Sequence, residues 1–410
     1  MAELAKLQAG IPTKLDNLKN LISAFGLAVS LLTVNPQGAL GAESGPVEKL
    51  ILGTQSQQVY PDEIALQNQL KEFGLSTTWA VFSPDYIWIQ DGVALSQPTS
   101  NGNRWIISDP KFLEAHGNSR TAVSDLFPDS AQLSQHGLNK GAIKYAAQNN
   151  IPVVLSEAIG EGGDIITLKN GDVFIGQVTL NHNIAYLLKR DHPTASISQL
   201  QELIPEYTQK AKKFIQGQFN LMGNKITYLS TKKDYHIDLL VSLFETDYGK
   251  LAIIQDDTES LKILQGALRL RNLHIEEISI LNAAITELTN KIQKNNYPKY
   301  LAKIESELEA QGYTVKRVGG NVETDGGDIL GHAYGINGIQ VRGKDGIIRY
   351  ITASLSSTLF NPVNPLPRFI NEEIRRNLGG ALNPYHITVP PLVVTDTSRA
   401  GGSLRCRTVK

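Results

Sequence analysis

Residues 151–165 read Ile-Pro-Val-Val-Leu-Ser-Glu-Ala-Ile-Gly-Glu-Gly-Gly-Asp-Ile, an apolar run followed by a glycine-rich break that carries acids. The β-branched start of this run suits a pleated surface, so Ile151–Leu155 predicts a buried strand. Ahead of it, Gly137–Asn149 has the pattern of a helix. The same plan returns at 301–329. Leu301–Gln311 reads as a helix with Leu301, Ile304 and Leu308 on one face, Gly312 ends it, and Tyr313–Val318 reads as a strand. That strand also leads to a paired glycine, in Thr324-Asp325-Gly326-Gly327-Asp328-Ile329, which reads as a tight turn. A third copy of the helix–strand plan lies at Tyr60–Phe73, Gly74 and Leu75–Phe82. Glycine after a helix supplies a left-handed cap. Matched elements at matched places argue for internal duplication within one α/β body of repeated strand–helix units.

Between the copies at 137–165 and 301–329, Glu259–Lys294 reads as mostly helical. Ile278, Leu281, Ile285, Leu288 and Ile292 recur at steps of three and four, an apolar stripe that predicts a packing face of a helical excursion over about 259–300, or a dimer contact. The first 44 residues differ. Lys6, Lys14 and Lys19 precede the uncharged run Leu21–Val34, and small residues follow at 38–42. This arrangement resembles a secretory signal, shorter than the ~20 residues of a spanning helix. It predicts a secreted or periplasmic mature chain beginning near residue 45; retained as a buried or anchoring helix, it would leave the protein cytoplasmic. No later segment reads as a membrane span.

Composition removes several classes. With 41% hydrophobic and 19% charged residues over 410 positions, the chain can bury a large core. A net charge of −1 leaves no basic footprint for nucleic acid. One cysteine, Cys406, excludes an internal disulfide and a cysteine-based zinc site.

That thiol sits in Ser398-Arg-Ala-Gly-Gly-Ser-Leu-Arg-Cys406-Arg-Thr408. Gly401 and Gly402 let backbone approach a ligand closely, and Arg399, Arg405 and Arg407 favour thiolate wherever their charges lie near the sulfur. A thiolate nucleophile needs a proton carrier, usually histidine. Among eight histidines, His236 stands out in Asp234-Tyr-His236-Ile-Asp238, a segment that reads as a strand. Residues two apart then share a face, which pairs an imidazole with a carboxylate; on spacing alone this is a structural hydrogen bond. Trp88-Ile-Gln90-Asp91 places an acid beside a flat apolar wall, suited to a planar cation, or else forms a half-buried strand whose aspartate caps the turn at Gly92. Glu161 adds an acid ahead of a sharp turn. Guanidinium, planar with five donors, matches carboxylates in this way.

Taken in order, Trp88-Ile-Gln-Asp91, Glu161-Gly-Gly-Asp164, His236-Ile-Asp238 and Gly-Gly-Ser-x-x-Cys406-x-Thr408 resemble the guanidine-modifying (pentein) superfamily, in particular its protein-arginine and agmatine deiminases. The resemblance spans about residues 45–410 and rests on four short motifs. It implies a five-bladed α/β propeller with pseudo-fivefold repeats and a central site. It further implies Cys406 as nucleophile, His236 as proton carrier, Asp91 and Asp238 as a guanidinium clamp, and Glu161 orienting His236 or aiding the clamp, with Trp88 and Gly402 lining the substrate. The implied reaction converts peptidyl or protein arginine, agmatine or free arginine into a ureido product and ammonia, with no metal or other cofactor. Three departures bear on substrate identity: Arg405 stands where the family usually has histidine before the cysteine, Gln90 where the agmatine type has arginine, and Gly92-Val93 where Gly-Pro is common. Amidino transfer to an amine, or binding of a guanidinium ligand or partner protein without turnover, are the alternatives. Pro365–Pro391 carries Arg368, Arg375 and Arg376 on an expected solvated helix face near the entrance.

Overall fold

The structure is a computed structural model. It describes residues 49–53, 61–82, 89–99, 102–115, 119–128, 138–168, 170–231, 236–271, 273–294, 297–322, 333–334, 336–342, 345–354, 365–390, 393–394 and 408–409. The N-terminal segment, Trp88, the turn at 325–328, Gly402 and Cys406 lie outside the described residues.

The fold is mixed α/β with several small sheets. Among the described residues, five three-stranded sheets share one plan: an antiparallel pair whose second strand also pairs in parallel with a third. Three units follow the chain directly. Leu95–Thr99 pairs with Gly102–Ser108, which pairs in parallel with Val153–Ser156. Ile165–Thr167, Val173–Gly176 and Ile226–Leu229 repeat this, as do Val241–Thr246, Gly249–Gln255 and Thr314–Val318. A fourth consists of Ile339–Arg342, Ile348–Ile351 and Ile387–Thr388. In the fifth, the first described strand, Lys49–Gly53, pairs in parallel with Ser76–Ala80 and antiparallel with the last, Thr408–Val409.

A parallel connection needs a crossover, and each unit supplies helices there, among them Pro61–Glu72, Leu138–Gln148, Ile197–Gln218, Tyr297–Glu309 and Pro365–Leu382. Between the last helix and the third strand of every unit stands a residue with positive φ: Gly74 at 85°, Asn150 at 55°, Asn220 at 52°, Gly312 at 85° and His386 at 57°. Glycine holds this position in two units, and asparagine or histidine, which tolerate the left-handed region, in the other three.

The central strands Gly102–Ser108, Val173–Gly176 and Gly249–Gln255 bury both faces. Val153–Ser156, expected to be buried, is instead an outer strand, paired on one side only among the described residues, and its Leu155 is 50% exposed. Trp105 and Ile107 pack with Ile51 and Leu138, whereas Ile106 packs with Ile165 and Ile175 of the next unit. Ala252 and Ile254 join Ile166 and Phe174 on one side, and Leu251 and Ile253 join Leu366 and Ile370 on the other. Alternation along a strand thus feeds two cores, and the strands read as unbroken apolar runs. Each fully buried side chain of this size stabilises by roughly 1.5–3 kcal/mol.

The stripe expected at 278–292 is a packing face along most of its length. Leu281 is buried, and Ile285, Leu288 and Ile292 pack against the core, but Ile278 is exposed. Arg368 and Arg376 lie on a solvated face, paired with Glu372 and Glu373. Among the described residues, no helix is long and apolar enough to cross a membrane.

Candidate active site

Three of the units begin with a short helical turn just before their first strand, and these turns carry the acids and the imidazole singled out from sequence. Asp91 lies on the 3-10 turn Ile89–Gly92, ahead of Leu95–Thr99. The segment is not the half-buried strand considered above. Glu161 immediately precedes the turn Gly162–Asp164, ahead of Ile165–Thr167. His236 caps the short helix Ile237–Leu240, ahead of Val241–Thr246.

This last helix corrects the strand expected around His236. Ile237 and Leu240 enter the same core cluster, a three-residue spacing that a helical turn satisfies and an alternating strand does not. Asp238 in the first turn also suits the positive end of a helix. His236 and Asp238 therefore do not share a strand face. Asp238 nonetheless stays within electrostatic reach of Asp91 and is fully buried.

The turns interlock through missing side chains. Gln90 Nε2 donates to the Gly162 carbonyl at 2.9 Å. A Cβ on Gly162 would stand 2.5 Å from the Gln90 carbonyl oxygen and 2.6 Å from that of Val93. A Cβ on Gly163 would stand 2.4 Å from His236 Nδ1. The paired glycine thus serves more than a tight turn: it lets the Asp91 turn and the imidazole close in from two sides.

His236 Nε2 and Glu161 Oε2 are 2.9 Å apart, and Nδ1 lies 3.8 Å from Asp91 Oδ1. Glu161 is completely buried and Asp91 4% exposed. Burial holds the Asp91 carboxyl well above the usual carboxylate range. His236 and the Gly163 N–H oppose that rise, while Glu161 and Asp238 add to it. Asp164, which shares the glycine turn with Glu161 but had no role assigned from its motif, is also fully buried, and burial pushes its carboxyl up to about 6. Its one signal in the sequence is that it is a second acid on the same glycine turn.

Asp91 Oδ1 and Glu161 Oε1 are buried without a hydrogen-bond partner among the described residues. Each such oxygen costs about 1–3 kcal/mol unless something donates to it. The arrangement is a cluster of buried acids beside an imidazole, and a cation relieves it. Asp91, Glu161 and His236 also offer three ligand atoms within 4.8 Å of one another, so the cation could be organic or metallic.

No family model matches the chain, and no curated protein matches it. It is similar to the solved structure of agmatine deiminase from C. jejuni, at 13% identity and TM-score 0.40, over 93% of this chain and 95% of that one. The C. jejuni enzyme with substrate bound gives 14% and 0.41, over 93% and 96%. An agmatine deiminase of Enterococcus faecalis gives 11% and 0.43, over 93% and 97%.

Proposed function

We propose that this protein is a guanidine-modifying enzyme that hydrolyses an arginine-type guanidinium to a ureido product and ammonia. The observation that carries this reading is the pair of buried, unpartnered carboxylate oxygens on Asp91 and Glu161 beside His236. A guanidinium is a planar cation with donors enough to satisfy both.

In this reading Cys406 is the nucleophile. Thr408–Val409 begins the fifth three-stranded unit and lies against the Asp91 turn. Cys406 precedes Thr408 by two residues, so covalent geometry keeps its Cα within ~7 Å of that of Thr408. Asp91, Glu161 and His236 stand just ahead of the first strand of their units, and Cys406 precedes the first strand of the fifth by its place in the sequence, which supports reading the four motifs as equivalent. Support for a five-bladed propeller around the site comes from the same repetition, together with the pairing of the first and last described strands.

The chemistry balances in two steps. The thiolate attacks the guanidinium carbon while Asp91 and Asp238 hold the cation, and the C–N bond breaks as His236 protonates the departing ammonia. The resulting thiouronium is attacked by water, with His236 as base, and collapses to the ureido product with return of the thiol. Glu161 orients the imidazole through Nε2. Trp88 and Gly402 are assigned to lining the substrate. Peptidyl or protein arginine is the preferred substrate in this reading, from the Trp88–Asp91 string and the export-like N-terminus, with agmatine and free arginine next. If the export reading of residues 1–44 holds, the mature protein is secreted or periplasmic and its N-terminus lies near residue 45.

The experiment incubates purified protein with agmatine, arginine and a blocked arginine peptide, and assays ureido product and ammonia. Product from at least one of them, lost in Cys406→Ala, supports the reading. Product that requires an added amine, without ammonia, selects amidino transfer. No product from any of them, with ligand-induced thermal stabilisation surviving Cys406→Ala, selects a non-catalytic binder.

A further inference from the structure

Asp164 has no part in the steps above, yet its surroundings are built around it. Its Oδ2 accepts the Thr179 N–H at 2.7 Å. Thr179 lies in the first turn of the helix Gln177–Asp191, whose own N-cap, Gly176, has no side chain to offer. A Cβ on Gly176 would stand 1.7 Å from Asp164 Oδ1, so the helix start is open at that point only because the residue there is glycine. The Ile237 N–H, directly after His236, faces the same carboxylate and favours its charge. On the other side of this three-residue turn, the Gly163 backbone abuts the imidazole.

We propose that Asp164 is a positioning residue for His236: one buried carboxylate joins the start of the helix Gln177–Asp191 to the His236 turn and so fixes the imidazole opposite Glu161. The inference rests on the reading that His236 moves protons. The competing account is an ordinary helix cap. Thr231 offers the comparison, because its Oγ1 accepts the Gln177 N–H at 2.8 Å at the same helix start and carries no charge.

The test measures kcat and KM for the guanidinium substrate, and the NMR signals of the His236 ring, in wild type, Asp164→Asn and Thr231→Val. Asp164→Asn is expected to lower kcat by about 30-fold or more with KM within about threefold, and to shift the ring signals. Thr231→Val is expected to lower the melting temperature, with kcat within about twofold and the ring signals in place. Equal loss of kcat in both variants, or an Asp164→Asn that melts earlier with kcat and ring signals unchanged, overturns the proposal. So does a change confined to KM, which makes Asp164 a substrate ligand. Should Asp164→Asn fail to fold, amide exchange in the wild type decides. Thr179, which donates to the carboxylate at 2.7 Å, and Ile237, which the proposal has held by the same group, are expected to exchange within about tenfold of each other, and an Ile237 amide as open as an exposed one overturns the proposal. The ring signals and exchange rates read out even if no guanidinium compound is turned over, so the two readings fail separately.

Discussion

His236 Nε2 is bound to Glu161 Oε2 at 2.9 Å across 75 residues of sequence, an imidazole held by an acid from a different repeat. Hydrogen bonds to charged groups contribute about 1.5–3 kcal/mol. Glu161→Gln, which keeps the shape and loses the charge, is expected to lower kcat by ~10–100-fold with a smaller effect on KM. Steady-state kinetics check this, and an unchanged kcat removes Glu161 from the orienting role.

Asp91 sets function against stability. Its buried charge is unfavourable, as the raised carboxyl shows. Asp91→Asn is therefore expected to hold or raise the melting temperature while kcat/KM for the guanidinium substrate falls at least ~100-fold. A variant that melts earlier and keeps its activity contradicts both halves.

Gly162 and Gly163 are expected to fail differently. A methyl on Gly162 meets two backbone carbonyl oxygens, which cannot turn aside. Gly162→Ala should cost about 1–3 kcal/mol in denaturant unfolding. A methyl on Gly163 meets an imidazole, which can swing away. Gly163→Ala should lose little stability and much of kcat. The same ranking of the two variants in both assays would count against this account.

Asp164 gives stability a pH slope of known sign. Its carboxyl rises from 3.8 to about 6 on folding, so the folded state binds the proton more tightly than the unfolded chain. Its contribution is fully present below about pH 4 and is lost as pH climbs through 6. That rise corresponds to ~3 kcal/mol. Urea unfolding at pH 4 and 7 should show a smaller decline in Asp164→Asn than in wild type. Equal declines would place the titration elsewhere.

Asp91, Glu161 and His236, assigned above to the guanidinium reaction, also offer three ligand atoms to a metal ion. With Nε2 bound to Glu161, a proton-carrying His236 must keep Nδ1 for proton transfer, so turnover of the guanidinium substrate is expected to survive exhaustive chelation. Loss on chelation, restored by a divalent ion, would give the three residues to the metal.

Local chemistry made much of this protein legible. The strands at 76–80, 153–156 and 314–318, the helix ends at Gly74 and Gly312, and the Glu161-Gly-Gly-Asp164 turn all follow from residues adjacent in sequence. Two repeats stayed unread; Asn220 and His386 stand at their left-handed positions, as Asn150 does in a repeat that the helix–strand pattern did reveal, so the glycine cap alone is not the signal. The helix at 237–240 stayed hidden because its four residues are too few to show a period; the shared core contact of Ile237 and Leu240 decides it.

By itself the sequence determined which chemical groups are available: one thiol, a glycine pair without side chains, and acids set beside an imidazole in short motifs. Only the tertiary structure decided that Asp91, Glu161 and His236 meet, since they come from three separate units whose faces pack against one another. The physical reason is range. Turns and strand alternation are fixed within a few residues, whereas convergence across 75 positions depends on how buried faces stack, and no local pattern encodes that.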